Sequence, residues 1–226
     1  MTTVAGVDGC PGGWIAIVLT DGRFARAEFA RTFADLLPRL ADAQAIAVDI
    51  PIGLPHGPDP RPADVEAKKL LGKRAASVFT TPPRAVLEAP TYAEANRLSR
   101  HRFNRGISAQ SYALREKIFE VDAVAAHDDR IYEVHPEVSF AAMNGEPLAW
   151  PKKVWGGQAT RLRLLADQGI AIPADLGPSG ATPPDDVIDA AAAAWSAQRI
   201  AEGTANRAGE AIQDRRPNRH AGFIWY

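Results

Sequence analysis

Two short segments of this chain each place an aspartate at the end of a run of apolar residues. The first covers residues 4–9 with Asp8 near its end, and the second covers residues 45–51 with Asp49 in the equivalent place. Strands that are apolar throughout belong in the middle of a sheet that is covered on both faces. Open α/β sheets build their sites at the carboxyl ends of such strands. If the two strands are parallel neighbours, Asp8 and Asp49 meet at one edge of the sheet.

The elements around these segments predict a mixed sheet. Residues 3–9, 13–20 and 23–29 have the patterns of strands, and Asp21-Gly22 is a strong hairpin turn signal. A helix capped by Thr32 and reaching about Ala41 leads to the strand at 45–50, which should run parallel to an earlier strand through a right-handed crossover. We therefore expect an α/β fold in which an antiparallel meander precedes the parallel strands.

The rest of the chain is mainly helical. Helices are predicted at 63–71, 91–103, 108–126, 158–167 and 185–202, with a strand at 130–135, a short helix from Pro136 and an edge strand at 223–226. This order is that of a ribonuclease H-like mixed five-stranded sheet flanked by helices, with a helical insertion at about residues 54–127. A doubly wound nucleotide-binding fold would not open with a meander. We expect a single domain over residues 1–226.

Composition narrows the class of protein. The chain has 226 residues, of which 46% are hydrophobic, so it can bury a sizeable core. Its net charge of −1 argues against tight, non-specific DNA binding, although basic residues cluster locally, as at Arg215 and Arg216. The single cysteine excludes an intramolecular disulfide and a cysteine-based zinc site. With no leader-like segment and no membrane span, we expect a cytoplasmic protein without a membrane partner; the sequence leaves a homo-oligomer open.

A third acidic segment opens the last helix. Asp185 and Asp186 fit the ordinary use of aspartate as a helix cap and first-turn acid. Asp189 lies one turn beyond Asp186 and on the same face. Because small residues follow from Ala190 onwards, this face can pack closely on the sheet and present its acids at the sheet edge.

Together the three acidic segments indicate a cation site more strongly than any one of them does. Clustered carboxylates repel one another, and a divalent cation such as Mg²⁺ or Mn²⁺ relieves the repulsion. The candidate ligands, which are also candidate catalytic residues, are Asp8, Asp49, Asp186 and Asp189. Ordinary structural roles stay open: Asp8 could form an Asx-turn with the hairpin backbone, and Asp49 could anchor the loop that follows it.

Other polar residues cluster near these segments. His135 and Glu137 are candidates for proton transfer and for an additional ligand, or they simply belong to the start of a helix. The roles of Glu133 and Asp185 stay open. Charge and hydroxyl groups that could bind a phosphate are supplied by Lys73, Arg74, Ser77, Lys152 and Lys153, all of which could equally be solvated loop residues. Trp14, Trp150 and Trp155 could stack on bases, but we expect them to pack in the core.

The order of these blocks is similar to that of a poorly characterised family, a domain of unknown function whose members are generally described as predicted ribonuclease H-like nucleases. The resemblance covers nearly the whole chain and is carried by residues 4–14, 49–55, 72–79, 133–140 and 186–190. More distantly, the chain resembles Holliday-junction resolvases of the RuvC type. Their first-strand aspartate matches Asp8, and their Asp-x-x-Asp-Ala helix start matches Asp186, Asp189 and Ala190. Asp49 stands where they usually carry a glutamate.

The resemblance and the acids together favour a divalent-metal-dependent nuclease or phosphodiesterase. Asp8 would be shared between two Mg²⁺ or Mn²⁺ ions, and water would attack a nucleic acid or a nucleotide-like phosphoester in line. The first alternative is an ATP-binding phosphotransferase or ATPase on an actin-like sheet, although 226 residues is short for its two domains. The second is a non-catalytic binding or regulatory domain on the same fold.

Overall fold

The computed structural model describes residues 1–211 and 219–226 and is organised around a mixed five-stranded sheet. Its strands are β1 (Thr3–Cys10), β2 (Gly13–Thr20), β3 (Arg23–Ala30), β4 (Ala45–Val48) and β5 (Ile131–Glu133). Their spatial order is β3-β2-β1-β4-β5. β2 is antiparallel to β1 and β3, whereas β4 is parallel to both β1 and β5. The predicted meander followed by parallel strands is confirmed.

The hairpin between β2 and β3 turns at Asp21 and Gly22. Their φ angles are 48° and 75°, so both residues adopt the left-handed conformation. A two-residue type I′ turn needs positive φ at both positions, and its twist matches that of the flanking strands. The turn expected from the Asp-Gly pair is therefore confirmed.

Helices cover both faces of the sheet. Those that the structure describes are α1 (Phe33–Leu36), α2 (Pro62–Leu71), α3 (Arg84–Leu87), α4 (Tyr92–Phe103), α5 (Ala109–Ala113), α6 (Arg115–Ala125), α7 (Pro136–Asn144), α8 (Trp155–Asp167) and α9 (Pro184–Ala201). Helices α1 and α6 supply core residues on one face, whereas α7, α8 and α9 supply them on the other. Helices α2 to α6 lie between β4 and β5, where the sequence predicts a helical insertion.

Helix α9 packs directly on β1 through backbone contact. A Cβ added to Gly6 would lie 1.9 Å from the backbone nitrogen of Ala194 and 2.2 Å from the carbonyl oxygen of Ala190. The central part of α9 is a run of buried alanines, which allows this approach. Glycine on the strand and alanine on the helix therefore set the short distance between the two elements.

Two predicted helices are broken in the structure. Thr32 does cap α1, its hydroxyl accepting a hydrogen bond from the Asp35 backbone at 3.1 Å, but the helix tightens into a 3-10 turn over Leu37–Leu40. Pro38 explains the change because it has no N–H for the α-helical ladder. The single helix predicted from Ser108 is divided at Leu114 into α5 and α6, with no proline or glycine to mark the break. Between α2 and α4, where the sequence analysis predicts no helix, the chain forms a 3-10 turn over Gly72–Ser77 and the short helix α3.

The end of the chain forms a second, smaller sheet. Strand β6 (Arg207–Gly209) pairs antiparallel with β7 (Phe223–Trp225), and Trp225 also bridges to Val134 just past β5. The predicted strand near the C-terminus is thus present, although its main partner is β6, which sequence patterns did not reveal. Arg215 and Arg216 lie outside the described residues. Among the helices of the described ranges, none combines the length and apolar character needed to cross a bilayer.

Candidate metal centre

The ends of β1 and β4 bring two acids to the same face of the sheet. The Asp49 backbone N–H donates to the Val7 carbonyl oxygen at 3.0 Å, which continues the parallel pairing by one residue. Side chains alternate between the two faces of a strand. Gly6 and Ala47 lie on the α9 side, so Asp8 and Asp49, two residues further along their strands, lie on that side as well.

Helix α9 adds a third acid to this pair. One carboxylate oxygen from each of Asp8, Asp49 and Asp189 can be chosen so that all three lie within 4.8 Å of one another. Asp8 and Asp189 are buried, and Asp49 is half-buried. A set of oxygen ligands is what hard divalent cations prefer. This carboxylate cluster of Asp8, Asp49 and Asp189 could therefore bind a metal ion.

The fourth predicted ligand, Asp186, lies outside this close group. It is one turn earlier on α9 and half-buried, and its negative charge still acts on Asp8. Asp185, beside it, is 4.0 Å from the Lys152 ammonium. Asp8 Oδ1 also accepts a hydrogen bond from the Gly9 backbone at 2.7 Å, a bond to the next residue and not the Asx-turn considered from the sequence.

Burial and mutual repulsion raise the pKa values of the carboxylate cluster. Burial raises the pKa of Asp8 well above its usual range, and the charges of Asp49 and Asp189 raise it further. Burial also raises the pKa of Asp49, against the opposing charges of His135 and Lys152. Burial raises the pKa of Asp189 to about 7, although Lys152 pulls it down. Burial and the short distances between the acids thus disfavour simultaneous ionisation of all three carboxyl groups, and a bound cation would offset that cost.

Lys152 supplies positive charge to the carboxylate cluster. Its Nζ donates a short hydrogen bond to Asp189 Oδ2, and the side chain is about one third exposed. Burial tends to lower the pKa of Lys152, but the charges of Asp189, Asp8 and Asp49 outweigh that effect and raise it. The Lys152 ammonium thus lies beside the carboxylates, where a bound metal ion would also lie.

A cavity of about 500 Å³ opens over the carboxylate cluster. Of the residues predicted to bind phosphate, Arg74, Ser77, Lys152 and Lys153 line it. Lys73 is exposed and is not among the described residues that line the cavity. Four of the five predicted phosphate-binding residues therefore share one cavity with the acids.

His135 and Glu137 line the same cavity in different roles. His135 Nε2 lies 3.3 Å from the Ser77 carbonyl oxygen, and its Nδ1 has no hydrogen-bond partner among the described residues. Glu137 is held by a short ion pair with the fully buried Arg161 and lies 3.5 Å from Arg74. The carboxylate of Glu137 is therefore already committed to guanidinium groups, whereas His135 has a free nitrogen.

A second group of buried acids lies beside the carboxylate cluster. Arg61 binds Glu133 at 2.5 Å and Asp64 at 2.8 Å, and its Nη1 also donates to the Ile52 and Gly53 carbonyls at 3.1 and 3.2 Å. This arginine-centred cluster of Arg61, Asp64 and Glu133 fixes the loop that follows Asp49. Glu133 is therefore a structural partner of Arg61 in this structure.

Sequence reasoning did not find Arg61, Asp64 or Arg161. Arg61 lies in a proline-rich loop and Arg161 in an amphipathic helix, where arginine is normally solvated. The only local signal was the spacing of three between Arg61 and Asp64, which permits an ion pair at the start of α2. Burial of these charges depends on Glu133 and Glu137, which are distant in the sequence.

The tryptophans divide into two groups. Trp14 is fully buried, and its Nε1 donates to Glu120 at 2.9 Å, as core packing predicts. Trp150 and Trp155 are 60% and 82% exposed, so the prediction of core packing is wrong for both. Trp150 precedes Lys152 and Lys153 in the chain, and Trp155 follows them as the first residue of α8. Both indoles are open to solvent.

Comparison with known proteins places the chain in a family. The family model described as "Protein of unknown function (DUF429)" matches residues 6–213. The chain belongs to the DUF429 family. No curated protein and no solved structure matches it. The match begins within β1, just before Asp8, and includes all of α9, so the carboxylate cluster lies wholly inside the family region.

Proposed function

We propose that this protein is a divalent-metal-dependent nuclease or phosphodiesterase with a ribonuclease H-like fold. The observation that carries the proposal is the convergence of Asp8, Asp49 and Asp189, whose oxygens approach within 4.8 Å of one another. Three distant segments of chain supply these acids, and among the described residues no buried arginine forms an ion pair with any of them. Such a group is suited to a small divalent cation, with Mg²⁺ and Mn²⁺ as the proposed ions.

The ribonuclease H-like assignment is supported by the order and direction of the strands. β1 is central, β2 and β3 complete an antiparallel meander on one side, and β4 and β5 run parallel on the other. The acids at the ends of β1 and β4 and on α9 also match the positions that the resemblance to RuvC-type resolvases implies. Asp186 occupies the first acidic position of that helix motif and Asp189 the second.

Asp8, Asp49 and Asp189 would hold the cations, with Asp8 shared and Asp186 as an outer acid. Bound cations of this kind activate the attacking water and stabilise the leaving oxygen of a phosphodiester. The cavity then needs positive groups for the substrate phosphate, and Arg74, Lys152 and Lys153 line it. His135 lines the same cavity and would accept or donate a proton near the leaving group; its buried Nδ1 has no hydrogen-bond partner among the described residues.

The direct test is hydrolysis of labelled DNA and RNA, in single-stranded, duplex and branched forms, with Mg²⁺, Mn²⁺ or EDTA. We expect cleavage that requires the divalent ion and falls by at least about a hundredfold in Asp8→Asn, because the loss removes a shared ligand. Asp167→Asn is the matched control. It removes one carboxylate from an exposed ion pair on α8 and should leave cleavage unchanged.

Two outcomes would count against the proposal. Release of phosphate from ATP with all nucleic acids left intact would favour the ATPase alternative. Absence of both activities, together with no stabilisation of the fold by Mn²⁺, would favour a non-catalytic domain. In that case Lys152 would be a permanent counter-ion of Asp189.

A further inference from the structure

The loop beside the cavity exposes two indole side chains. Trp150 and Trp155 are 60% and 82% exposed, and Val154 between them is 43% exposed. A tryptophan offers a large apolar surface, and leaving two of them in water forgoes the hydrophobic stabilisation of burial. Three large apolar side chains exposed within six residues are a candidate interaction surface, because soluble proteins rarely expose apolar groups together without a binding role.

Hydrogen bonds from a buried arginine hold the backbone of this loop. The guanidinium of the buried Arg161 donates to the Trp150 carbonyl at 3.2 Å and to the Gly157 carbonyl at 2.9 Å. The Trp150 indole also lies over the Gly156 backbone, because a Cβ added to Gly156 would meet the indole at 3.4 Å. These contacts hold the Trp150 backbone and place its indole against the start of α8.

Two lysines lie between the tryptophans in the chain. Lys152 reaches the carboxylate cluster, and Lys153 lines the cavity above it. Trp150 is two residues from Lys152 and Trp155 is three, which limits their backbone separations to roughly 7 and 11 Å. The two exposed indoles thus lie on either side of the two lysines in the chain and within a few residues of them.

We propose that Trp150 and Trp155 form a stacking surface for unpaired bases, and that the substrate is a single strand whose phosphates contact Lys152 and Lys153. This inference rests on the proposed function and names its substrate class. Exposed aromatic rings beside positive charge are how proteins bind single strands, since every base offers a stacking face. In a duplex those faces are already covered by neighbouring base pairs.

The charge of the patch favours this occupant over a protein. Lysine is depleted in the cores of protein–protein interfaces, whereas two lysines lie within this patch. Lys153 is exposed, and Lys152 is partly exposed although it is paired with Asp189. A polyanion with flat apolar groups matches both features.

The test measures binding without hydrolysis. The full-length protein in EDTA and at low salt is titrated with a labelled oligothymidylate and with an abasic oligonucleotide of equal length and charge. We expect Trp150→Ala and Trp155→Ala each to weaken binding of the oligothymidylate about tenfold, in line with the known effect of removing one stacking ring. Neither variant should change binding of the abasic strand. Lys153→Met should weaken both ligands by the same factor.

Leu70→Ala is the matched control, since it truncates another exposed apolar side chain, on α2. It should bind like the unaltered protein. Equal affinity for the base-bearing and abasic strands, unchanged binding by both tryptophan variants, or duplex bound as tightly as single strand would each overturn the inference. So would a fall in sedimentation mass in the tryptophan variants, which would show that a second copy covers the patch.

Different experimental results would contradict this inference and the proposed function. Base-dependent binding with no metal-dependent hydrolysis would remove the nuclease function and leave the stacking surface intact. Metal-dependent hydrolysis of single strands with an unchanged KM in both tryptophan variants would support the nuclease function and contradict the stacking surface.

Discussion

The cavity is bordered by two groups of buried acids that differ in how their charge is balanced. In the arginine-centred cluster, one guanidinium binds both Glu133 and Asp64. Glu133 also accepts a hydrogen bond from the Ile52 backbone N–H at 2.6 Å, and Asp64 accepts one from the Thr81 backbone N–H at 2.7 Å. In the carboxylate cluster, three acids share one partly exposed lysine. With every group ionised, the first group has one negative charge in excess and its carboxylates are fully hydrogen-bonded, whereas the second has two negative charges in excess.

This difference in charge balance distinguishes a group that holds the chain together from a group that could bind a metal ion. A buried arginine with planar, fork-shaped donors is committed to its carboxylates and holds the chain around them. A lysine is a compact point charge on a flexible stem, and Lys152 enters the cluster from its exposed side. If a metal ion binds here, we expect it to replace this ammonium without unfolding the protein.

Breaking the arginine-centred cluster should have the largest effect. Arg61→Met would leave Glu133 and Asp64 buried without their partner and should lower the free energy of unfolding by about 3–5 kcal/mol. Urea unfolding followed by circular dichroism measures this, with and without Mn²⁺. Arg163→Met removes an exposed ion pair with Asp167 and should cost under about 1 kcal/mol. Similar losses in the two variants would mean that Arg61 is not the structural centre we describe.

Moving α9 should disturb both the fold and the carboxylate cluster. Gly6→Ala places a methyl group within 1.9 Å of the α9 backbone, so the helix must shift and Asp189 with it. We expect a loss of about 3 kcal/mol in stability, at the upper end for overpacking, and a loss of any stabilisation by Mn²⁺. Gly57→Ala is the control, since an added Cβ there meets nothing within 4 Å. A Gly6→Ala protein with the Mn²⁺ response of the unaltered protein would contradict the close packing.

The pH dependence of stability should reveal the cost of burying the carboxylate cluster. The pKa of Asp8 is raised by burial and by its acidic neighbours. Its stabilising contribution is therefore complete below the unfolded pKa of about 3.9 and is lost as the pH rises through the folded pKa. Asp8→Asn should thus make the metal-free protein more stable at pH 8, by about 1 kcal/mol, an ordinary size for one substitution.

Thermal unfolding in EDTA between pH 4 and 8 measures this difference. The advantage of Asp8→Asn over the unaltered protein should grow with pH, whereas Mn²⁺ should reverse it by stabilising only the unaltered protein. A difference that stays constant with pH would show that Asp8 is not a strained carboxylate.

The smallest effect should come from the exchangeable cation. Lys152→Met removes a positive charge that competes for Asp189, so Mn²⁺ should bind more tightly, on the order of tenfold or less after allowance for solvent screening. Calorimetric titration with Mn²⁺ checks this. Lys153→Met, one residue further along and exposed, should change the affinity little. Weaker binding in Lys152→Met would mean that the lysine supports the site instead of competing for it.

The strand pattern made much of this arrangement predictable. Apolar runs that end at Asp8 and Asp49 indicated central parallel strands, and the Asp-Gly pair at 21–22 indicated the hairpin, because both signals are local. The small residues after Asp189 indicated a helix that packs closely on the sheet, and Gly6 proved to be the point of contact. Local signals failed where the environment decides the outcome, as with the exposure of Trp150 and Trp155 and the burial of Arg61 and Arg161.

The amino-acid sequence alone determined which residues could form strands, where the chain turns and which acids stand at strand ends, because these depend on side-chain periodicity and backbone preference. Only the tertiary structure decided that Asp189, and not Asp186, completes the close group with Asp8 and Asp49. It also decided that Glu133 and Glu137 are paired with arginines. Those outcomes depend on distances between segments far apart in the chain and on the cost of burying a charge without a partner.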